Sequence, residues 1–552
     1  MKSLLRVIIF LAIAGLLIGC GQSVTATPSP IASPTVTSTP TITSLPSQTA
    51  TATLEPTPTQ GYLPPTLQPV IEPKLARDLL SKAFSIQILE GPNGHRMRQI
   101  TGWEYGFRRN PCYGYEWLDA SHLVLYPSLG QKSSMESGPS DVNGPPVVIN
   151  LDSGSTWMPT PVYDPFIYCL WVERSEELGI IISPGRMGSY ANITEKDAVI
   201  TYTFDGQYIN HYWGKLLHVS PSGTKILVDD DTIIDLRNGK ITELAWYMNY
   251  DYERLDFLYW SSDESRIYRC CFYYAETSTG KSYSFKLSDL RKSNGDPAPD
   301  DDSLLAHTYG GWVRNDTYFL VEWSPIEDGD RGYLPMFSPT EKKIYDVRAM
   351  AGIPDEYFTQ TMVSPDGKYV WMENGVNSYL VNLMTFEAVE YQTGYVNDFT
   401  WSPDSKFAWF NTGNDNNALE YDLISVSDQE LKPFYTSEIQ PRLKWHPSGK
   451  SFASILDQTL LVSDVPDLAV REIATPTVFQ ELSWSPDGDR IALLAKDSSV
   501  WQIDYPALQN WQQLTPSLPN EYYLTYGMSW SPDGTSIAFI SGSDIYIVET
   551  TK

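Results

Sequence analysis

The chain has 552 residues, enough for several ordinary domains or for one large repeat fold, and its 67 acidic against 39 basic side chains give a net charge of −28. Such a surface repels phosphate backbones and anionic headgroups, which argues against a nucleic-acid role and a polybasic membrane contact and suits cationic ligands, divalent metals or simple solubility. Aromatic side chains make up 13% of the residues, an amount suited to filling the wedge-shaped gaps between sheets packed side by side.

Met1 to Ile18 opens with Lys2 and Arg6 and continues in an apolar run from Val7 to Ile18. That run is short for a membrane span and right for an export signal. It ends in Leu17-Ile18-Gly19-Cys20, which resembles the lipobox of bacterial lipoproteins. The resemblance implies cleavage after residue 19, lipidation of Cys20, and a membrane anchor that leaves the rest of the chain in the cell envelope, outside the cytoplasm. Several acyl chains on one residue hold a protein stably where a single chain is marginal.

Residues 20–60 follow as a Thr/Ser/Pro-rich segment in which, from Ser23 to Gln60, Glu55 is the only charge. Such a composition cannot bury a core and favours extended conformations. A tether of this kind reaches on the order of 100 Å at about 3.1 Å per residue. Within 61–96, Pro73 to Phe84 carries the clearest helical pattern, with Leu75, Leu79, Leu80, Ala83 and Phe84 on one stripe behind an N-terminal proline.

From 97 to 552 a phrase recurs. Its fullest form is Trp530-Ser-Pro-Asp-Gly534, and variants begin at Trp117, Trp171, Val219, Trp260, Trp312, Val363, Trp401, Trp445 and Trp484. Proline presets the first corner of a turn, aspartate suits the second, and glycine supplies positive φ before the next strand. The starts lie 38 to 54 residues apart, the spacing of four-stranded propeller blades. Trp323-Ser-Pro stands too close to Trp312 to start a blade and reads as a loop. Second hairpins follow the turns, as at Val147–Trp157, Ile233–Lys240 and Tyr379–Phe386. We therefore expect an all-β chain, a β-propeller of about eight to ten repeat units with one ring of ten favoured. The phrase resembles that of TolB-type and WD-repeat propellers, which implies fold and says almost nothing of function.

Asp544 to Lys552 reads as a third strand with no fourth after it. Its partner is expected from Ser85 to Thr101, which would close the ring.

Chemistry is harder to find. Gly-x-Ser-x-Gly and His-Glu-x-x-His are absent, the six histidines are scattered, and no cofactor or metal is expected. His446 replaces the turn serine of other units and reads as a turn cap. The acidic runs at Asp229–Asp231, Asp296–Asp302 and Glu327–Asp330 lack the spacing of a calcium loop. Asp152 to Trp157 has the form of an ordinary hairpin turn.

Export permits disulfides, and Cys112 with Cys169 is a candidate bridge, whereas Cys270 and Cys271 are adjacent in one strand. Trp246, Tyr247, Tyr250 and Tyr252 form the densest aromatic patch, on a long connection of the kind a sugar- or peptide-binding surface uses.

Two readings result. The first is a monomeric, lipid-anchored, non-catalytic propeller that binds an envelope protein or glycan. The alternative is a propeller glycan hydrolase or lyase with carboxylates at the central channel. If Cys20 carries the lipid, mass spectrometry of the mature protein should find residues 1–19 removed and Cys20 acylated. Cys20→Ala should then move the protein out of the membrane fraction.

Overall fold

A computed structural model describes residues 85–101, 115–125, 147–157, 170–175, 179–184, 198–214, 216–229, 231–245, 258–269, 273–284, 305–325, 334–354, 358–413, 419–437, 443–456, 458–518, 527–542 and 544–550. They build ten antiparallel sheets, nine of four strands taken in chain order and one of five. The first nine blades span 115–157, 170–213, 216–243, 258–284, 305–346, 360–391, 396–437, 444–474 and 479–513. Blade 10 joins 529–549 to two strands from 85–101. First strands of successive blades pack together, as Leu258–Trp260 does with Leu305–Val313, so the first strand of each sheet lies nearest the ring axis.

The recurring phrase makes the turn between the first and second strands. In blades 4, 6, 7, 9 and 10 the serine (Ser261, Ser364, Ser402, Ser485 and Ser531) is buried, and its Oγ donates to the aspartate two residues on at 2.5–2.8 Å. The same oxygen accepts from the N–H that opens the second strand at 2.9–3.0 Å. Each aspartate also accepts a backbone N–H two residues further on at 2.9–3.2 Å. Two side chains thus complete the bonding of a turn that its own backbone also closes, as where Ser531 N–H donates to the Ser536 carbonyl at 2.8 Å.

Neighbouring blades meet through paired apolar faces, because a strand sends alternate side chains to opposite sides of its sheet. Successive clusters join blades 1 and 2 through Val124 and Ile180, 2 and 3 through Ile181 and Ile226, and 3 and 4 through Leu227 and Ile267. Others join 5 with 6 and 6 with 7, then 7 with 8 and 8 with 9, and finally 9 with 10. Between blades 4 and 5 the contact is aromatic, with Tyr268 stacked on Phe319 at 3.5 Å between centroids and Tyr274 Oη donating to the Pro339 carbonyl at 3.0 Å. A last cluster, with Ile100, Ile547, Leu123 and Ile149, joins blade 10 to blade 1 and closes the circle.

The strand Arg96–Thr101 forms that closure. It pairs antiparallel with Asp544–Glu549, Met97 opposite Val548 and Thr101 opposite Asp544, as the missing fourth strand requires. Met97 and Ile100 leave the strand on opposite faces, Met97 toward blade 9 and Ile100 toward blade 1. Ser85–Glu90 adds a fifth strand outside it, and Gly91 brings that hairpin so close to blade 9 that a Cβ there would stand 2.3 Å from the Leu514 carbonyl oxygen.

Two local expectations need correcting. Trp323-Ser-Pro325 lies in the second strand of blade 5, Tyr318–Pro325, because that strand runs to eight residues. Trp171 to Ser175 continues the first strand of blade 2, Leu170–Ser175, in place of turning, since it has neither proline nor glycine to break the ladder. A short helix, Val347–Ala351, follows blade 5, capped by the Asp346 carboxylate at its start and by Gly352 at φ 68° at its end. Among the described residues no helix is long and apolar enough to cross a membrane.

Ile100→Ala should cost about 2–5 kcal/mol in denaturant unfolding, since Ile100 is fully buried at the closing interface. Ile88→Ala on the outer strand, 59% exposed, should stay within about 0.5 kcal/mol. Acid should weaken the ring as well. Burial works against the charge on Asp366, Asp404, Asp487 and Asp533, yet the serine and backbone donors hold all four carboxyls below the ordinary 3.8. For Asp263, also lowered, the Ser261 hydroxyl is the largest influence. A folded pKa below the unfolded one gives stability that is complete above about pH 4 and fades as pH falls through the lower folded value. Urea midpoints should therefore decline below about pH 4, and Asp533→Asn should make that decline shallower.

Candidate functional site

Cys20, the 73–84 helix pattern, Trp246, Tyr247, Tyr250, Tyr252, Cys112, Cys169, Cys270 and Cys271 all lie outside the described residues, as do the acidic runs at 296–302 and 327–330. Of the first acidic run, Asp229 and Asp231 are described. Among the described residues no group of three or more His, Cys, Asp or Glu is placed to hold a metal ion.

Among the described residues an open concave site lies at the inner ends of blades 3, 4 and 5. It is a cavity of about 560 Å³, within the range of small-ligand sites. Blade 4 contributes Tyr259 and Trp260 from the end of its first strand, with Ser262 from the turn. Blade 5 contributes Trp312 and Asp316, and blade 3 contributes His218 and Val219. Blade 3 ends its first strand in Val219, where blade 4 has Trp260, so that wall carries a short aliphatic side chain in place of an indole.

The indoles show why this place differs from the rest of the ring. Trp312, Trp401, Trp445, Trp484 and Trp530 each donate Nε1–H to a backbone carbonyl of the preceding blade, those of Tyr259, Met362, Thr400, Lys444 and Ser483, at 3.1–3.3 Å. The acceptor stands each time one residue before the preceding phrase. By that rule Trp260 would donate to His218, but its Nε1 is buried with no hydrogen-bond partner. An unpaired buried donor costs about 1–3 kcal/mol. Trp117 Nε1 is unpartnered too, at the seam between blades 1 and 10, where the Tyr115 hydroxyl donates instead to the Ala538 carbonyl at 2.7 Å and accepts from Ser529 Oγ at 3.1 Å.

Asp316 reaches the cavity by an unusual route. Arg314, Asn315 and Asp316 hold φ of 53°, 54° and 59°, three successive residues in the left-handed region where blades 3, 6, 8, 9 and 10 place one glycine, blade 4 Glu264 and blade 7 Ser405. That conformation is costly for any side chain, less so for Asn and Asp, and it sets the Asp316 carboxylate on the turn of blade 4. There Oδ2 accepts the Ser262 N–H at 2.6 Å and also the Ser262 hydroxyl. One turn earlier, Glu264 makes the analogous link at φ 55°. Burial opposes its charge, but the Ser222 N–H at 2.7 Å and Lys225 Nζ at 2.9 Å hold its carboxyl at about 2.

Elsewhere the polar groups serve the ring. His446 Nδ1 accepts the Ser448 N–H at 3.0 Å, so Nε2 carries the proton and donates to the Gly488 carbonyl at 3.0 Å, a turn cap and a blade-to-blade link as its position suggested. Burial lowers its pKa. In the turn of Asp152 to Trp157, Trp157 Nε1 donates to the Phe204 carbonyl of blade 2 at 2.8 Å. Asp422 in blade 7 is pushed up to about 6 by burial, with Glu420 adding to the shift.

The cavity was only partly visible beforehand. Val219, Trp260 and Trp312 were placed as turn starts, while His218, Tyr259 and Asp316 were not singled out. The available signal was the departure of Trp312-Val-Arg-Asn-Asp316 from the common phrase, with neither proline nor glycine.

No family model and no curated protein matches the chain. Among solved structures it is similar to a eukaryotic initiation factor, at 13% identity over 72% of this chain and 96% of that one, TM-score 0.39. It is also similar to an oligogalacturonate lyase in complex with manganese, at 12% identity over 85% and 97%, TM-score 0.34. A third is TolB from Acinetobacter baumannii, at 18% identity over 43% and 64%, TM-score 0.23. Identities this low concern the propeller fold alone.

Proposed function

We propose that the chain is a lipid-anchored binding propeller, held outside the cytoplasm by Cys20 and a Thr/Ser/Pro-rich stalk, whose ring takes an envelope protein or glycan. The observation that carries the binding role is the concave site of blades 3 to 5, where Tyr259, Trp260 and Trp312 stand beside the polar groups of His218, Ser262 and Asp316. The anchor and address rest on Leu17 to Cys20 and the stalk composition. Hydrolysis of a glycosidic bond needs two carboxyl groups flanking it, and among the described residues lining this cavity Asp316 is the one carboxylate.

The test is a pull-down from envelope extracts with the full-length protein, run beside a glycan array. A retained partner or glycan whose signal drops with Tyr259→Ala is the expected result. Equal retention by wild type and variant in both assays would remove the cavity from the account.

A further inference from the structure

Blade 8 meets its two neighbours in different ways. Successive side chains of a strand point to opposite faces, so in Ser451–Leu456 the side chains of Ser451 and Ala453 face blade 9, while those of Phe452 and Ser454 face blade 7. Toward blade 9 the polar groups close on one another. Ser451 Oγ and Tyr505 Oη stand 2.6 Å apart, each lies 2.8 Å from Asp464 Oδ1, and Arg471 donates to the Pro506 carbonyl at 3.0 Å. Toward blade 7 they do not. Trp409 Nε1, Asn411 Oδ1 and Tyr421 Oη of blade 7, with Ser454 Oγ and Ser463 Oγ of blade 8, are buried without a hydrogen-bond partner among the described residues.

Strand pairing puts these groups on the facing surfaces. Asn411 lies opposite Tyr421 and Trp409 opposite Leu423, and Trp409, Tyr421 and Leu423 share a cluster with Phe452, which lies opposite Ser463. Water does not reach them in the closed ring, since the five atoms have almost no accessible surface. A void in the same interface, lined in part by Phe434, Phe452 and Ser463, holds about 10 Å³, the bottom of the range that one water needs, and a water needs several polar partners besides.

Five polar groups thus forgo in the closed ring the hydrogen bonds that they make in water, and they recover them when the two sheets part. We propose that the ring opens at this interface, with blades 7 and 8 separating and admitting water between their second and third strands while blades 8 and 9 stay joined. The first strands form the hinge, because Trp445 Nε1 donates to the Thr400 carbonyl at 3.3 Å inside the polar groups. The apolar contacts of Leu423 and Phe452 oppose the opening and keep the closed form the major one.

Thiol labelling of the full-length protein reads the opening. Ser454→Cys places a thiol in the opening interface, and Ala453→Cys places one a residue away on the face toward blade 9; both positions are fully buried. Ala492→Cys, between blades 9 and 10, is a second buried control. Under native conditions with iodoacetamide, Ser454→Cys should react about tenfold faster than either control, read by mass spectrometry of the peptide that carries the new thiol. Tyr421→Phe, which keeps the ring and removes one unpaired hydroxyl, should slow the labelling of Ser454→Cys about tenfold. It should leave the melting temperature unchanged or raised, whereas Tyr505→Phe, which loses its contacts with Ser451 and Asp464, should lower it.

Labelling of Ser454→Cys no faster than the controls would overturn the proposal. So would labelling that Tyr421→Phe leaves as fast, or a melting temperature lowered by Tyr421→Phe as far as by Tyr505→Phe, since either means that the hydroxyl gains nothing from water when the sheets part.

Discussion

Each blade is held to the next at the turn that opens it, and the ring depends on that shared use of one short segment. A free-standing four-stranded sheet exposes both apolar faces, so a blade is stable only between neighbours. The turn serine and aspartate saturate the backbone within the blade, while the tryptophan before them and the glycine after them reach the preceding blade. At Gly488 a Cβ would lie 2.1 Å from His446 Nε2, and at Gly367 it would lie 3.0 Å from the Val313 Cα, so the αL residue is selected by proximity as well as by φ. Fold and assembly are therefore written in the same five residues.

A ring built this way has one interface that local sequence cannot supply, because its two sides are the ends of the chain. The N-terminal hairpin resolves it by placing Met97 and Ile100 on the two faces of a single strand, each in the apolar cluster of a different neighbour. Polar links reinforce the seam: Arg98 donates to the Leu151 carbonyl of blade 1 at 3.1 Å and pairs with Glu549 at 3.0 Å, and Gln99 donates to Asp544 at 2.6 Å. The covering strand Ser85–Glu90 leaves only one exposed edge beyond it, occupied by alternating polar residues and the isolated Ile88.

Where the repeat departs from its rule, the structure gains chemistry. Blades 4 and 5 replace Pro and Gly with Ser262 and Glu264 and with Arg314 and Asp316, and their links to the preceding turns run through the carboxylates of Glu264 and Asp316. A carboxylate is a longer and wetter connector than a glycine carbonyl. Beside it the Trp260 indole loses the acceptor that its counterparts keep. This sector therefore joins its turns through side-chain carboxylates at the place where the three blades leave a concave site.

The sequence by itself determined the all-β class, nine of the ten turn positions and the need for an N-terminal strand, because proline, glycine and alternating apolar residues act over a few neighbours. It also marked His446 as a cap, since imidazole Nδ1 can do what serine Oγ does in the same turn. Tertiary structure alone decided that ten blades share one ring, because closure depends on the small angle accumulated between sheets and on the meeting of Ile100 with Leu123, which no local pattern encodes. It alone decided the cavity as well. Tyr259, Trp260, His218 and Asp316 come from three turns up to 98 positions apart, and whether an indole N–H finds a carbonyl there depends on how three sheets are set beside one another.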